Sequence, residues 1–221
     1  ALDVDMTLVH PTHPAAHPLS VIKYNEEHKN ILEKLPKDKQ KMSFMLLSGL
    51  PQELVEMEAV KVVHSLQSKG IKTIAFTATF TGKLGHIPRV EETRYQQLKN
   101  LGLSFKENFK AYSDITLNEC KPCRGNFPAF YNGILLSNGG SKGDVLTAFL
   151  KRTSFTPSIF IMVDDRKKNL EEIREALNSS YPSVKFIGIE YKGIFHNQPK
   201  EIASKVFKKF WEELSQQAIA I

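Results

Sequence analysis

Two aspartates near the start of the chain, Asp3 and Asp5, stand two positions apart and are followed by Thr7 and Leu8. On a β-strand, side chains at positions i and i+2 point to the same side, so both carboxylates would face one small site. Such a pair suits covalent hydrolysis of a phosphate ester. One ionised carboxylate attacks phosphorus, and the other protonates the leaving oxygen and then activates water. Acidic residues also end many strands in ordinary turns, so the pair alone leaves a structural role open.

A second pair of carboxylates, Asp164 and Asp165, directly follows the apolar run at residues 159–163. Adjacent carboxylates repel one another unless a cation lies between them, and Mg²⁺ is a hard cation that prefers oxygen ligands. The pattern therefore predicts a magnesium site at the end of this run. The alternative is a solvated acidic turn, balanced by the three basic residues that come next.

Short apolar runs that end in polar residues alternate with amphipathic stretches, which is the pattern of βαβ units around a parallel sheet. The predicted strands cover residues 1–4, 72–76, 133–136, 159–163 and 184–189. The predicted helices cover residues 54–68, 90–101, 144–150 and 169–177, and a last amphipathic helix carries Ile202, Val206, Phe210 and Leu214 on one stripe. In open α/β sheets, ligands bind at the carboxyl ends of the strands, where the polar residues stand here. The predicted fold class is α/β, a Rossmann-like parallel sheet flanked by helices, in a single domain over residues 1–221.

Two segments fall outside this alternation. Residues 10–51 contain a Pro- and His-rich loop, a predicted helix at 21–35 and a Lys-rich turn, and we predict that they form a small cap insert. The loop at residues 10–20 offers three histidines but no Phe, Tyr or Trp that could hold a phenyl ring. Residues 80–131 hold one helix and then mostly loop. Because large caps seal small substrates away from water, a small cap favours an open site and a macromolecular substrate.

Four motifs, taken together and in this order, resemble those of the haloacid dehalogenase-like (HAD-like) phosphatase superfamily. The first is Asp-x-Asp-x-Thr-Leu at residues 3–8, and the second is Thr77, a hydroxyl that closes a strand. The third is Lys142 near the start of a helix, and the fourth is the acidic pair at residues 164–165. The resemblance covers residues 1 to about 191 and implies a HAD-like core.

The resemblance implies a Mg²⁺-dependent phosphomonoester hydrolase in which Asp3 forms a phospho-aspartate and Asp5 is the general acid and base. Thr77 would hydrogen-bond a phosphoryl oxygen. Lys142, at a helix N-terminus that itself attracts anions, would neutralise the phosphate and the Asp3 carboxylate. Thr7 would support the turn that aims Asp5.

The cofactor implied by the resemblance is Mg²⁺. Its implied ligands are Asp3, the carbonyl oxygen of Asp5, Asp164 and Asp165. Of the adjacent pair, Asp165 is favoured as the direct ligand, with Asp164 binding directly or through water.

Three stretches, residues 71–78, 132–137 and 163–170, are similar to a branch of the superfamily carried by intracellular bacteria. That branch includes effector-type protein tyrosine phosphatases delivered into host cells. The similarity implies a phosphorylated protein as substrate, phosphotyrosine in particular, and a location in the bacterial cytoplasm or inside a host cell. This chain has Thr79 where the branch often has Arg. A small-molecule phosphatase acting on sugar phosphates or nucleotides, and a non-catalytic binding module on the same fold, remain the alternatives.

The composition and the spacing of the cysteines argue against two other classes of function. The 221 residues are 41% hydrophobic and carry a net charge of +6, from lysines spread along the chain without aromatic interleaving, so no nucleic-acid partner is expected. A cysteine-dependent tyrosine phosphatase needs an Arg six residues after its Cys. Here Cys120 is followed at that distance by Asn126, and Cys123 by Ala129, which excludes that mechanism.

No apolar run approaches the roughly 20 residues that would cross a bilayer, so the composition is typical of a soluble globular protein. The last predicted helix carries Lys205, Lys208 and Lys209 beside aromatic residues. Weak contact with an anionic membrane through these lysines is one reading, and packing of the helix on the rest of the fold is the favoured one. We also expect sequence upstream, because Asp3 leaves the first strand almost without length.

Overall fold

The computed structural model describes residues 1–221 and has eight α-helices and eight β-strands. The strands are β1 (Val9–Pro11), β2 (Gln52–Leu54), β3 (Ala75–Thr77), β4 (Asp114–Thr116), β5 (Ala129–Tyr131), β6 (Ile134–Leu136), β7 (Ile159–Asp164) and β8 (Lys185–Glu190). The helices are α1 (Pro18–Lys23), α2 (Asn25–Leu32), α3 (Lys37–Leu46), α4 (Glu58–Ser68), α5 (Val90–Asn100), α6 (Lys142–Thr153), α7 (Lys167–Ser180) and α8 (Ser204–Ala220). The predicted α/β class is confirmed.

The first residues of the chain form the centre of the main sheet. Leu2 makes parallel bridges to Ala75 of β3 on one side and to Val163 of β7 on the other. The amide of Leu2 donates to the Ile74 carbonyl at 3.0 Å, and the amide of Asp3 donates to the Val163 carbonyl at 2.8 Å. Since β3 pairs with β6 and β7 pairs with β8, both in parallel, the N-terminal segment joins the two halves of the sheet.

The sheet is mixed, which corrects the prediction of a parallel sheet. Strands β4 and β5 pair antiparallel to one another, and β5 pairs antiparallel to β6. The reversal comes from Asn132 and Gly133, which stand between Tyr131 and Ile134 with φ of 45° and 88°. Two consecutive positive φ values make the two-residue hairpin turn that an Asn-Gly pair favours. The Asn-Gly pair is a local signal for this turn, although no hairpin was predicted here.

The order of the strands reverses beside the N-terminal segment. From this central position the chain passes to β3 and β6 on one side, and it then returns to place β7 and β8 on the other. Such a reversal leaves a crevice at the carboxyl ends of the two strands that flank it, and open α/β sheets bind ligands there. The two strands are the N-terminal segment, which leads into Asp3 and Asp5, and β7, which ends at Asp164.

Helices cover both faces of the sheet through two groups of buried apolar side chains. Phe76 of β3 packs in one group with side chains of α6 and α7. Its neighbour Ala75 points to the opposite face and belongs to the other group, with side chains of α4, α5 and α8. This alternation is the period-two pattern of a strand buried on both faces. No helix combines the length and the apolar content needed to cross a bilayer.

The segment at residues 10–51 lies between two paired strands, since β1 and β2 form an antiparallel ribbon at its ends. The single helix predicted at residues 21–35 is two helices, α1 and α2, which break at Tyr24. The predicted Lys-rich turn is helix α3, because Met42 and Leu46 are buried at helical spacing while Lys37 and Lys41 face solvent. Helices α2 and α3 both pack against α8.

Trp211 of α8 is a large buried side chain through which this segment packs against α8. Its indole ring is fully buried, contacts the rings of His28 and Phe44, and donates an N–H to the Ala15 carbonyl at 3.0 Å. Packing of α8 in this way leaves the lysines at positions 205, 208 and 209 exposed.

Trp211→Ala should lower the free energy of unfolding by about 3–5 kcal/mol, because it removes a large buried side chain and leaves the Ala15 carbonyl without its donor. Urea unfolding followed by circular dichroism measures the change. Ile22→Ala, at an exposed position of α1, is the control and should change stability by no more than about 0.5 kcal/mol. Equal losses in the two variants would contradict the role assigned to Trp211.

Candidate active site

The chain turns sharply immediately after Asp5. Met6 has φ of 66°, in the left-handed region that a non-glycine residue rarely adopts. Its amide donates to the Val9 carbonyl at 2.8 Å, and the amides of Leu8 and Val9 both donate to the Val4 carbonyl at 2.9 Å. Residues in this region store backbone strain of order 1–3 kcal/mol and cluster at functional sites. The turn keeps Asp3 and Asp5 together at the carboxyl end of the central segment.

Lys142 is the cation inside this site. Its side chain is 1% exposed, and its ammonium donates to Asp3 Oδ1 at 2.5 Å, to Asp164 Oδ2 at 2.7 Å and to the Phe76 carbonyl at 2.8 Å. An ammonium has three N–H donors, so all of them are used. Lys142 is the first residue of α6, which begins two positions earlier than predicted because the Ser141 hydroxyl accepts the Asp144 amide as an N-cap.

The charges of these groups act strongly on one another because they are buried. Burial raises the pKa of Asp3 to about 8; the ammonium of Lys142 opposes this rise, while the neighbouring carboxylates add to it. Burial lowers the pKa of Lys142, but the charges of Asp3 and Asp164 together outweigh it, so the pKa lies above its ordinary value. Burial and then the charge of Asp164 raise the pKa of Asp165 to about 6. The site therefore has more negative charge than Lys142 alone balances.

The two adjacent aspartates differ in their contacts. Asp164 is fully buried, and its oxygens accept from the Arg166 amide at 2.9 Å and from the Asn169 amide group at 2.9 and 3.1 Å, in addition to Lys142. The carboxylate of Asp165 makes none of these contacts and lines the open cleft. Asp165 is thus the more available of the two for a ligand.

The residues present fit a hard divalent cation. One carboxylate oxygen from each of Asp3, Asp164 and Asp165 lies within 4.8 Å of the others. All of these donors are oxygens, which is the ligand set that Mg²⁺ takes, and Mg²⁺ usually completes its shell with water and substrate phosphate. The excess negative charge of the group gives an electrostatic reason for a cation to bind there.

Three side chains donate to the carboxylate of Asp5. The hydroxyls of Thr77 and Thr79 lie 2.9 and 3.2 Å from Asp5 Oδ2, and Arg94 Nη2 lies 2.8 Å from Asp5 Oδ1. Sequence reasoning identified Thr77 and missed Arg94, which stands 89 residues from Asp5 in a helix of ordinary polar character. No local signal marks it. Thr7, predicted to support the turn that aims Asp5, donates instead to Asp3 Oδ2 at 3.2 Å.

The predicted site residues therefore lie together at one edge of the sheet. They are Asp3, Asp5, Thr77, Lys142, Asp164 and Asp165. The cleft above them has a volume of about 120 Å³. Its rim includes the apolar side chains of Met6, Phe44 and Met45, the last two from α3. Phe44 is 41% exposed, so the segment at residues 10–51 places an aromatic ring at the mouth of the site, although its N-terminal loop has none.

Comparisons with known proteins give a family and relatives but no activity. The family described as "Protein of unknown function (DUF2608)" matches residues 1–220. An "Uncharacterized protein" of Rickettsia felis is 29% identical over 167 residues, which are 75% of this chain and 56% of the relative. One of Rickettsia bellii is 31% identical over 141 residues, 63% of this chain and 48% of the relative. The chain thus spans about half the length of these curated relatives. No solved structure gives a significant match.

Lys142→Met should lower the free energy of unfolding by about 3–5 kcal/mol, because it leaves Asp3 and Asp164 buried without their cation. Urea titration at neutral pH measures the change. Lys168→Met removes an exposed lysine that pairs with Glu172, and this control should change stability by less than about 1 kcal/mol. A similarly small effect at Lys142 would show that the buried carboxylates do not depend on it.

Proposed function

We propose that this chain, which belongs to the DUF2608 family, is a Mg²⁺-dependent phosphomonoester hydrolase with a HAD-like core that forms a phospho-aspartate at Asp3. The observation that carries the proposal is the buried ammonium of Lys142, shared between Asp3 and Asp164 beside the unengaged carboxylate of Asp165. A nucleophilic carboxylate, a fixed cation and a metal-binding carboxylate are the groups that phosphoryl transfer to aspartate requires.

The arrangement of the strands supports a Rossmann-like core of the HAD-like type. Each of the four motifs lies at the carboxyl end of a parallel strand or at the start of the helix that follows one. Asp3 ends the central segment, Thr77 ends β3, Lys142 begins the helix after β6, and Asp164 ends β7. The antiparallel strands β4 and β5 add to one edge and leave this site unchanged.

The first chemical step joins Asp3 to phosphorus. A carboxylate oxygen of Asp3 forms a bond to phosphorus while the bond from phosphorus to the ester oxygen breaks. Lys142 donates to Asp3 Oδ1 and so fixes the orientation of the carboxylate. Bound Mg²⁺, held by Asp3, the Asp5 carbonyl oxygen, Asp165 and Asp164, would neutralise charge on the phosphoryl oxygens.

Asp5 moves the proton in both steps. It first gives a proton to the departing ester oxygen. It then takes a proton from a water molecule whose oxygen forms a bond to phosphorus while the bond between phosphorus and Asp3 breaks, which releases inorganic phosphate and restores both aspartates. In this structure Thr77 donates to Asp5 Oδ2. The same hydroxyl can rotate to donate to a phosphoryl oxygen, the role expected from the sequence. Together with rotation of the Thr79 hydroxyl, which also donates to Asp5 Oδ2, this would free Oδ2 for the proton.

The size of the cleft supports a substrate whose bulk stays outside. Its volume of about 120 Å³ is well below the roughly 300–1,000 Å³ of pockets that enclose small organic ligands. A phosphoryl group with its metal water would fill it. A sugar or a nucleoside would remain at the rim, next to Phe44. These features favour a phosphorylated protein, with phosphotyrosine the residue that an aromatic rim suits.

The test is phosphate release from phosphotyrosine and phosphoserine peptides, sugar phosphates and nucleotides. We expect release with Mg²⁺, none with EDTA, and a loss of about 10³-fold or more in Asp3→Asn, because the nucleophile is removed. Asp38→Asn, an exposed aspartate of α3, is the matched control and should retain activity.

Three other outcomes would each overturn a part of the proposed function. Full activity of Asp3→Asn would contradict covalent catalysis. Preference for sugar phosphates or nucleotides would replace the protein substrate with a small molecule. Folded protein that releases phosphate from no substrate would favour the non-catalytic binding module.

Phe44→Leu should raise KM for a phosphotyrosine peptide by about three- to tenfold, because an aromatic contact contributes about 0.5–1.5 kcal/mol beyond the buried area. The KM for the matching phosphoserine peptide should stay within about twofold, since its methylene presents no ring to Phe44. Leucine keeps most of the packing of Phe44 against Trp211. Equal increases for both peptides would indicate a general defect of the rim and not recognition of an aromatic ring.

A further inference from the structure

We infer that Arg94 is the positioning residue for Asp5, and that it couples the acid–base carboxylate to the insert beside the cleft. This inference rests on the proposed function. Arg94 lies in the middle of α5 and is completely buried. Its guanidinium contacts Asp5 directly, in an ion pair of 2.8 Å between Arg94 Nη2 and Asp5 Oδ1.

The same guanidinium contacts the end of the insert. Arg94 Nη1 donates to Gln97 Oε1 at 2.8 Å and to the Ser48 carbonyl at 3.3 Å. Gln97, one turn further along α5, donates from Nε2 to the carbonyls of Ser48 and Leu50 at 2.9 and 3.1 Å. Ser48 itself lines the cleft. Arg94 therefore connects the turn that carries Asp5, helix α5 and one wall of the site.

A buried arginine at position 94 does not stabilise the fold more than an apolar side chain would. Its Nε–H is buried without a hydrogen-bond partner. Leaving such a donor unpaired is unfavourable, and a buried ion pair is often no more stable than apolar side chains of the same volume. A guanidinium at this position is better explained by what it does to Asp5.

The two carboxylate oxygens of Asp5 differ in how rigidly their hydrogen-bond donors are held. Oδ1 is bound by the rigid, planar guanidinium, whose several N–H groups have fixed directions. Oδ2 accepts only from the hydroxyls of Thr77 and Thr79, which can rotate away. Arg94 thus holds the carboxylate plane while Oδ2 can meet the leaving oxygen. The side chain of Asp5 is 37% exposed and lines the cleft, so a substrate can reach it.

The experiment compares two substrates that differ in how much their leaving group needs a proton. Phenyl phosphate needs one from Asp5, whereas 2,4-dinitrophenyl phosphate releases a stable anion. Arg94→Met should lower kcat/KM for phenyl phosphate by about 100-fold, a typical contribution of general acid catalysis, and for the dinitrophenyl ester by less than about fivefold. The value of kcat/KM reflects only the steps up to the phosphorylation of Asp3. The later hydrolysis of the phospho-aspartate therefore does not affect the comparison.

Two further variants separate positioning from a structural role. Arg89→Met removes an arginine at the start of the same helix, where it pairs with Asp114 away from the cleft, and should affect neither substrate. Arg94→Lys keeps the charge without the fork of donors, so it should show a smaller difference between substrates than Arg94→Met. It also provides the test if Arg94→Met does not fold. Equal losses on both substrates, or no loss on either, would overturn the inference.

A measurement without substrate distinguishes failure of this inference from failure of the proposed function. Urea midpoints of Arg94→Met, Asp5→Asn and the double variant should be non-additive, with the double variant more stable than the sum of the single losses predicts. Additive shifts would show that Arg94 does not hold Asp5. Coupling without phosphate release from the wild-type protein would instead refute the phosphatase and, with it, the acid–base part of the role assigned to Arg94.

Discussion

The rest of the site depends on one buried ammonium, that of Lys142. It contacts carboxylates from two neighbouring strands and a carbonyl from a third, and it begins the helix that follows a fourth. Burying Asp3 and Asp164 beside one another would otherwise be strongly unfavourable, because neither charge has water to screen it. The lysine makes this arrangement possible at the point where the strand order reverses. It also leaves the carboxylate of Asp165 free to face the cleft.

Asp3 and Asp5 share a strand end, yet each has a different cation from a different part of the chain. Lys142, at the start of α6, contacts the first, and Arg94, in α5 on the opposite face of the sheet, contacts the second. Two neighbouring carboxylates of the same type are thereby given different surroundings. Asp3 is nearly inaccessible except from the cleft, whereas Asp5 is more than a third exposed. This difference in environment is what the proposed division of labour between a nucleophile and an acid–base group requires.

Two segments outside the βα alternation, residues 10–51 and 80–131, lie beside the site without enclosing it. Helix α3 of the first contributes Phe44 to the rim, and helix α5 of the second contributes Arg94, which contacts Asp5. They meet where Gln97 and Arg94 bind the Ser48 carbonyl. Helix α3 also packs against α8, where the ring of Trp211 contacts the ring of Phe44 and so holds this part of the rim in place. The position of the rim and the orientation of Asp5 therefore depend on a shared set of contacts.

The sequence by itself determined the α/β class, the parallel strands and the two carboxylate pairs at their ends, because apolar periodicity and the spacing of the aspartates are local patterns. The Asn132–Gly133 turn was just as local, and recognising it would have placed the antiparallel edge. Thr77 and Lys142 are ordinary residues in their local sequence, and only the resemblance to the HAD-like motifs marked them. Tertiary structure alone placed Arg94 and Phe44 at the site. Each lies in a helix whose polar and apolar spacing looks ordinary, and each reaches the site through contacts between residues far apart in the chain. Such contacts arise from how the helices pack, and no short stretch of sequence encodes them.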